Sequence, residues 1–131
     1  MNKSHNPEGW KRPKGYANVI SATGTMVFVA GQIGWNADEE FESDDFADQT
    51  RQALLNIRAC LEAAGAKPAD IVRMTWYVID KQEYLANLDK VGAAYRDVLG
   101  KNFSCMSLVQ VADLVETRAK LEIEVTAVIP D

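Results

Sequence analysis

Residues 70–80 read DIVRMTWYVID. The run is rich in β-branched and aromatic residues, the composition of a strand. Its flanks decide the fold. Upstream, Phe46, Thr50, Leu54, Ile57, Leu61 and Ala64 recur at helical spacing. Asp44 or Asp45 can cap that helix, and Gly65 can stop it. Downstream, Tyr84, Leu88, Val91, Tyr95 and Val98 share a second helical face, with Gly100 after it. The central run is thus a strand between two helices.

The rest of the chain adds strands. Residues 16–34, YANVISATGTMVFVAGQIG, read as two strands around a turn at Thr23-Gly24. The acidic loop NADEEFESDD follows, with room for a short strand at Glu40–Glu42. After the second helix, NFSCMSLVQV (102–111) reads as a buried strand. In the last strand, Leu121, Ile123, Val125 and Ala127 alternate with Lys120, Glu122, Glu124 and Thr126. The first fifteen residues carry Pro7, Gly9, Pro13 and Gly15 and read as an irregular arm, with Trp10 as a packing anchor.

The order is ββ(β)αβαββ. Right-handed crossovers put both helices on one face of a single mixed sheet of five to six strands. The expected class is α/β (α+β), in one domain spanning residues 1–131. The runs TMVFVAGQI, WYVI and SLVQV are apolar on both sides. Strands of that kind need cover on both faces. No element remains for the second face, and an uncovered one would be an interface-sized apolar patch. A homo-oligomer that buries it is expected.

Composition bounds function. The 131 residues are 47% hydrophobic and 25% charged, ordinary for a globular protein. The net charge of −5 argues against nucleic-acid binding, which needs clustered cations. The Lys11-Arg12-Lys14 patch is small and reads as a solvated arm. Cys60 and Cys105 make no disulfide framework. No apolar leader and no run of membrane-spanning length are read, so the expected compartment is the cytoplasm, with no membrane partner.

Several chemistries lack their residues. His5 is the only histidine, so Ser-His-Asp and Cys-His machines have little to work with. No His/Cys set has zinc spacing, and no phosphate-cradling glycine motif occurs. GQIG, residues 31–34, ends a strand and reads as a bulge or a close backbone approach. Four polar features remain: Tyr16 at the first strand, Gly31-Gln32, Ser107 beside Met106, and Glu122 with Glu124. Each has a structural alternative. Tyr16 is a half-buried aromatic; Gln32 satisfies a neighbouring backbone; the glutamates lie on a solvated face.

Taken together, the landmarks resemble the RidA/YjgF family of small trimeric enamine/imine deaminases over nearly the full length. They are KGYANVI, VFVAGQIG, QTRQALLNIRACLEAAGAKPADIVRMTWYVID, YLANLDKVGAAY and LEIEVTAVIP. The resemblance implies a homotrimer, its sheets packed into a central barrel, with small-molecule ligands in intersubunit clefts. It implies hydrolysis of enamines or imines, such as 2-aminoacrylate, to 2-keto acids and ammonia. No metal and no cofactor are implied. Tyr16, Gly31, Gln32 and Glu122 match the family pattern, Glu122 as the group that orders the attacking water.

The family's carboxylate-gripping arginine is absent. Deaminase-type members read roughly P-x-R-S-x-V-x-V at this strand; here Met106 holds the arginine position and Gln110 that of a frequent glutamate. A thioether supplies neither charge nor donors. The pocket should therefore take a bulkier or more apolar substrate, or recruit another cation. Arg12 and Lys14 are the candidates, against the alternative of a flexible basic arm. Trp35 either widens the pocket or packs elsewhere. A non-catalytic binding trimer, acting as sensor or scavenger, is the alternative reading. Ribonuclease activity, attached to some relatives, fits an acidic chain least.

Overall fold

The computed structural model describes residues 2–131. The strands are β1 (Lys3–His5), β2 (Val19–Ser21), β3 (Gly24–Ile33), β4 (Ile71–Val78), β5 (Cys105–Gln110) and β6 (Leu121–Pro130). The helices are α1 (Phe46–Ala63), α2 (Lys81–Ala86) and α3 (Leu88–Leu99), with a short 3-10 turn at Pro68–Asp70.

Local chemistry sets the helix ends. Asp45 caps α1, its carboxylate accepting from the Asp48 N–H at 3.0 Å. The second predicted helix is broken in two at Asn87 (φ −121°, ψ 20°). The Asn87 amide donates to the Glu83 carbonyl at 2.7 Å, a side-chain bond that competes with helix continuation.

Strand order in the main sheet is β3-β6-β4-β5. The pairs β3–β6 and β6–β4 are antiparallel, and β4–β5 is parallel. This corrects the expectation of one sheet of five or six strands. Four strands form that sheet, and β1 and β2 make a separate antiparallel ribbon. β2 therefore does not pair with β3 across Thr23-Gly24. Its partner is Lys3–His5, inside the supposedly irregular arm. Both ribbon strands are largely exposed, so no apolar pattern announces them. The acidic loop holds no strand at Glu40–Glu42; the Asn36 side chain accepts from the Asp38 and Glu40 N–H groups instead.

The core lies between the sheet and α1 and α3. Leu54, Ile57, Leu61, Met74, Trp76, Leu121 and Ile123 are fully buried there. Burying each such side chain contributes about 1.5–3 kcal/mol. Gln49 ties α1 to the start of β6: its amide donates to the Ser43 and Arg118 carbonyls and accepts from the Lys120 N–H. The sheet's other face carries no helix, and Phe28 (72%) and Met26 (58%) stand exposed on it. Trp10 is 63% exposed and anchors nothing, because the segment around it packs on no core. Among the described residues no helix is long and apolar enough to cross a membrane.

Candidate functional site

The register of β5 on β4 decides where Met106 goes. Met106 pairs with Met74 and Leu108 with Trp76, whereas Ser107 pairs with Thr75. Met74 and Trp76 face the helices, so Met106 and Leu108 do too; Ser107 projects to the opposite, helix-free face. β5 is an edge strand, and beyond it the helix layer does not close. The result is a cavity of about 470 Å³, with Trp76, Met106 and Leu108 from the sheet and Tyr84, Val91 and Tyr95 from the helices.

The arm closes one side. The Ala17 N–H donates to the Ser104 carbonyl at 2.9 Å, and Ala17 bridges Cys105 in parallel. That tie sets Tyr16, 43% exposed, beside Met106 at the cavity mouth. Lys14 also lines the cavity; Arg12 does not. Of the two proposed replacement cations, only Lys14 stands where a ligand could meet it.

Aromatic packing stiffens the walls. Tyr95 stacks on Phe103 with centroids 5.6 Å apart, and its hydroxyl donates to the Asn102 carbonyl at 2.6 Å. Burial pushes the Tyr95 phenol up to about 12, so it stays a neutral donor throughout the physiological range. Burial also raises Tyr84, which meets the Trp76 ring edge-on at 6.4 Å. The Trp76 indole N–H is buried with no hydrogen-bond partner.

Gly31, Gln32 and Glu122 are elsewhere. The β3–β6 register shifts between Val29 and Gln32, a bulge in which Gly31 sits. A Cβ on Gly31 would overlap the Glu122 carboxylate. Gly31 is thus both a bulge residue and a close approach. Glu122 is half-buried, with no side-chain hydrogen bond or ion pair among the described residues. Gln32 donates to the Ala30 carbonyl at 3.1 Å, its structural reading. Glu124 accepts from the Tyr77 hydroxyl at 2.6 Å, and that bond is the main cause raising the Tyr77 phenol. Trp35 packs on Phe41, 5.8 Å between centroids, and lies outside the cavity.

One chain therefore splits the candidate residues into two sets. Tyr16 and Met106 belong to the β5 edge; Gly31, Gln32 and Glu122 belong to β3 and β6. β4 separates β6 from β5, and Met106 and Glu122 project from opposite faces. Ser107 is at the β5 edge too, but on the helix-free face and outside the main cavity. It lines a smaller recess of about 270 Å³ with Arg73, Cys105 and the backs of Tyr16 and Met106.

Sequence reading missed Arg96, which lines the main cavity from α3. One signal was available: Gly92, four residues earlier, is a poor helix former inside a helix. Among the described residues no group of three or more His, Cys, Asp or Glu side chains could hold a metal ion.

The family model described as endoribonuclease L-PSP matches residues 10–129. The 2-iminobutanoate/2-iminopropanoate deaminase of Escherichia coli is 37% identical over 105 residues, 80% of this chain and 80% of that protein. The solved structure of YyfB from Yersinia pestis, a Rid-family protein of unknown function, has a TM-score of 0.86 at 32% identity, covering 98% of both chains. E. coli TdcF, solved with bound serine, has a TM-score of 0.68 at 33% identity, covering 92% of this chain and 91% of that one.

Proposed function

Since the chain belongs to the endoribonuclease L-PSP family, the RidA/YjgF family of the sequence resemblance, we propose that it hydrolyses reactive enamines or imines and releases ammonia. The observation that carries this reading is the Glu122 carboxylate, seated over Gly31 and held by no other side chain. A carboxylate with both oxygens free of protein donors, given room by the glycine beneath it, can accept from and order a water molecule. The water oxygen adds to the imine carbon, the C=N π pair moves to nitrogen, and nitrogen takes a proton. The carbinolamine then expels ammonia as the carbonyl forms. An enamine first takes a proton at its β-carbon. Glutamate need not be a strong base, because the substrate is already reactive.

The reaction needs Glu122 near the Tyr16–Met106 cavity, and one chain keeps them apart. Assembly brings them together in this account. Copies pack through the helix-free face bearing Met26 and Phe28 as a homotrimer, and the β3–β6 set of one subunit completes the β5-edge cavity of the next. Three-fold closure of a head-to-tail contact makes three equal clefts. Met106 makes the cleft atypical: an arginine's two charge-assisted bonds to a carboxylate are missing, roughly 3 kcal/mol or a hundredfold in affinity. Small 2-imino acids are then poor substrates, and bulkier apolar ones are favoured.

The test is ammonia release from a panel of enamines, wild type against Glu122→Ala. Release that the substitution abolishes supports the reading. No release from any substrate, or no loss in the variant, contradicts it. One observation favours a second reading: the cavity already forms within a single chain, so a ligand can bind there without the neighbour's Glu122. Ribonuclease action fits least, given the net charge of −5.

A further inference from the structure

Among the described residues, Arg96 and Lys14 are the only charged ones lining the main cavity, and no carboxylate lines it. Neither takes part in an ion pair among the described residues. Arg51, Arg58, Arg118 and Lys120 each find a carboxylate, and Asp97, the sequence neighbour of Arg96, is taken by Arg51 at 2.9 Å. What sets these two apart is their place: both face one cavity whose other described lining residues are uncharged.

The Arg96 side chain also has a seat. It folds back over Gly92, one turn earlier on α3, where a Cβ would come within 3.1 Å of Nη1. Glycine inside a helix costs about fivefold in the local folding equilibrium relative to alanine, so its place needs a reason. Room for the guanidinium supplies one.

We propose that Arg96, assisted by Lys14, is the anion clamp of this cavity in place of the absent arginine at position 106. This rests on the enamine/imine reading for the chemistry, but not for the binding. The clamp sits in the helix layer rather than on the sheet. Met106, Leu108, Tyr84 and Phe103 line the same cavity, an apolar and aromatic wall beside the two cations. The ligand class that fits is an acid whose carboxylate is separated from its reactive carbon by an aromatic or branched apolar body. Arg96 is thus a specificity-determining residue.

The experiment measures binding of phenylacetate and of neutral phenylacetamide by titration calorimetry to the native assembly. Arg96→Gln is expected to weaken phenylacetate about tenfold or more and leave phenylacetamide unchanged, with Arg96→Lys in between. Gly92→Ala is expected to raise thermal stability while weakening phenylacetate, a split that a purely structural Gly92 would not give. Ammonia release is assayed in parallel. Carboxylate-selective binding that depends on Arg96 without any ammonia release leaves the clamp standing and removes the deaminase reading. No saturable phenylacetate binding by the native protein, or equal effects on acid and amide, overturns the clamp.

Discussion

Gly31 and Glu122 occupy space that a side chain at position 31 could not share: its Cβ would overlap the Glu122 carboxylate. The glutamate is flexible, so Gly31→Ala should fold and push the carboxylate aside. Ammonia release is expected to fall about a hundredfold, close to the loss in Glu122→Ala, with a small change in melting temperature. Kinetics alongside thermal melts check this. A Gly31→Ala enzyme with full activity would show that the carboxylate's seat is irrelevant.

Under the proposed function, Met106→Arg supplies the arginine that the sequence resemblance leads one to expect at this position, on the sheet side of the cavity. Hydrolysis of 2-aminoacrylate is expected to rise, by up to about a hundredfold in kcat/KM. The side chain is partly buried against the core, so some stability is lost. Steady-state assays on 2-aminoacrylate, with melting temperatures measured beside them, separate the two effects.

Tyr95 makes stability sensitive to alkali. Its folded pKa, raised to about 12 by burial, exceeds the ordinary 10.0. The folded state therefore holds a proton that the unfolded chain gives up. This contribution is complete below pH 10 and is lost as pH rises through 12, on the order of 2 kcal/mol. Tyr95→Phe should flatten that slope and cost about 1 kcal/mol at neutral pH for the bond to Asn102. Urea unfolding between pH 8 and 12 reads both.

The exposed Phe28 and Met26 mark the face that assembly covers in this account. Phe28→Asp places a charge there and should convert trimers to monomers at micromolar concentration, read by sedimentation velocity. A Phe28→Asp protein that sediments like the wild type would remove that face from the interface.

The strand at residues 70–80, its flanking helices and the helix-side core were legible because periodicity and apolar spacing encode burial. The β1–β2 ribbon was not: Lys3, Ser4 and His5 are exposed and polar, and their pairing rests on backbone bonds to Val19–Ser21 that leave no hydrophobic trace. Asn87 broke a helix whose apolar face continues across it, since one side-chain amide can do that without disturbing the pattern. Tyr16, Gly31, Glu122 and Met106 were singled out by resemblance, and of these Tyr16 and Met106 line the main cavity. Arg96 was not singled out: Gly92 inside a helix is a faint signal, and the absence of carboxylates from the cavity's described lining is a matter of packing. Arg12 and Lys14 looked equivalent in sequence; the tie of Ala17 to Ser104 brings only Lys14 to the cavity.

The central claim is that catalysis joins the two sets of residues across a subunit boundary. Tyr16→Ala and Glu122→Ala, each inactive alone, should be unfolded together, refolded as mixed trimers and assayed for ammonia release. On the proposed assembly each cleft takes Tyr16 from one subunit and Glu122 from its neighbour, so random mixing should recover about a quarter of wild-type activity. A mixture as inactive as either parent, with mixed trimers present, would mean that no cleft draws on two chains.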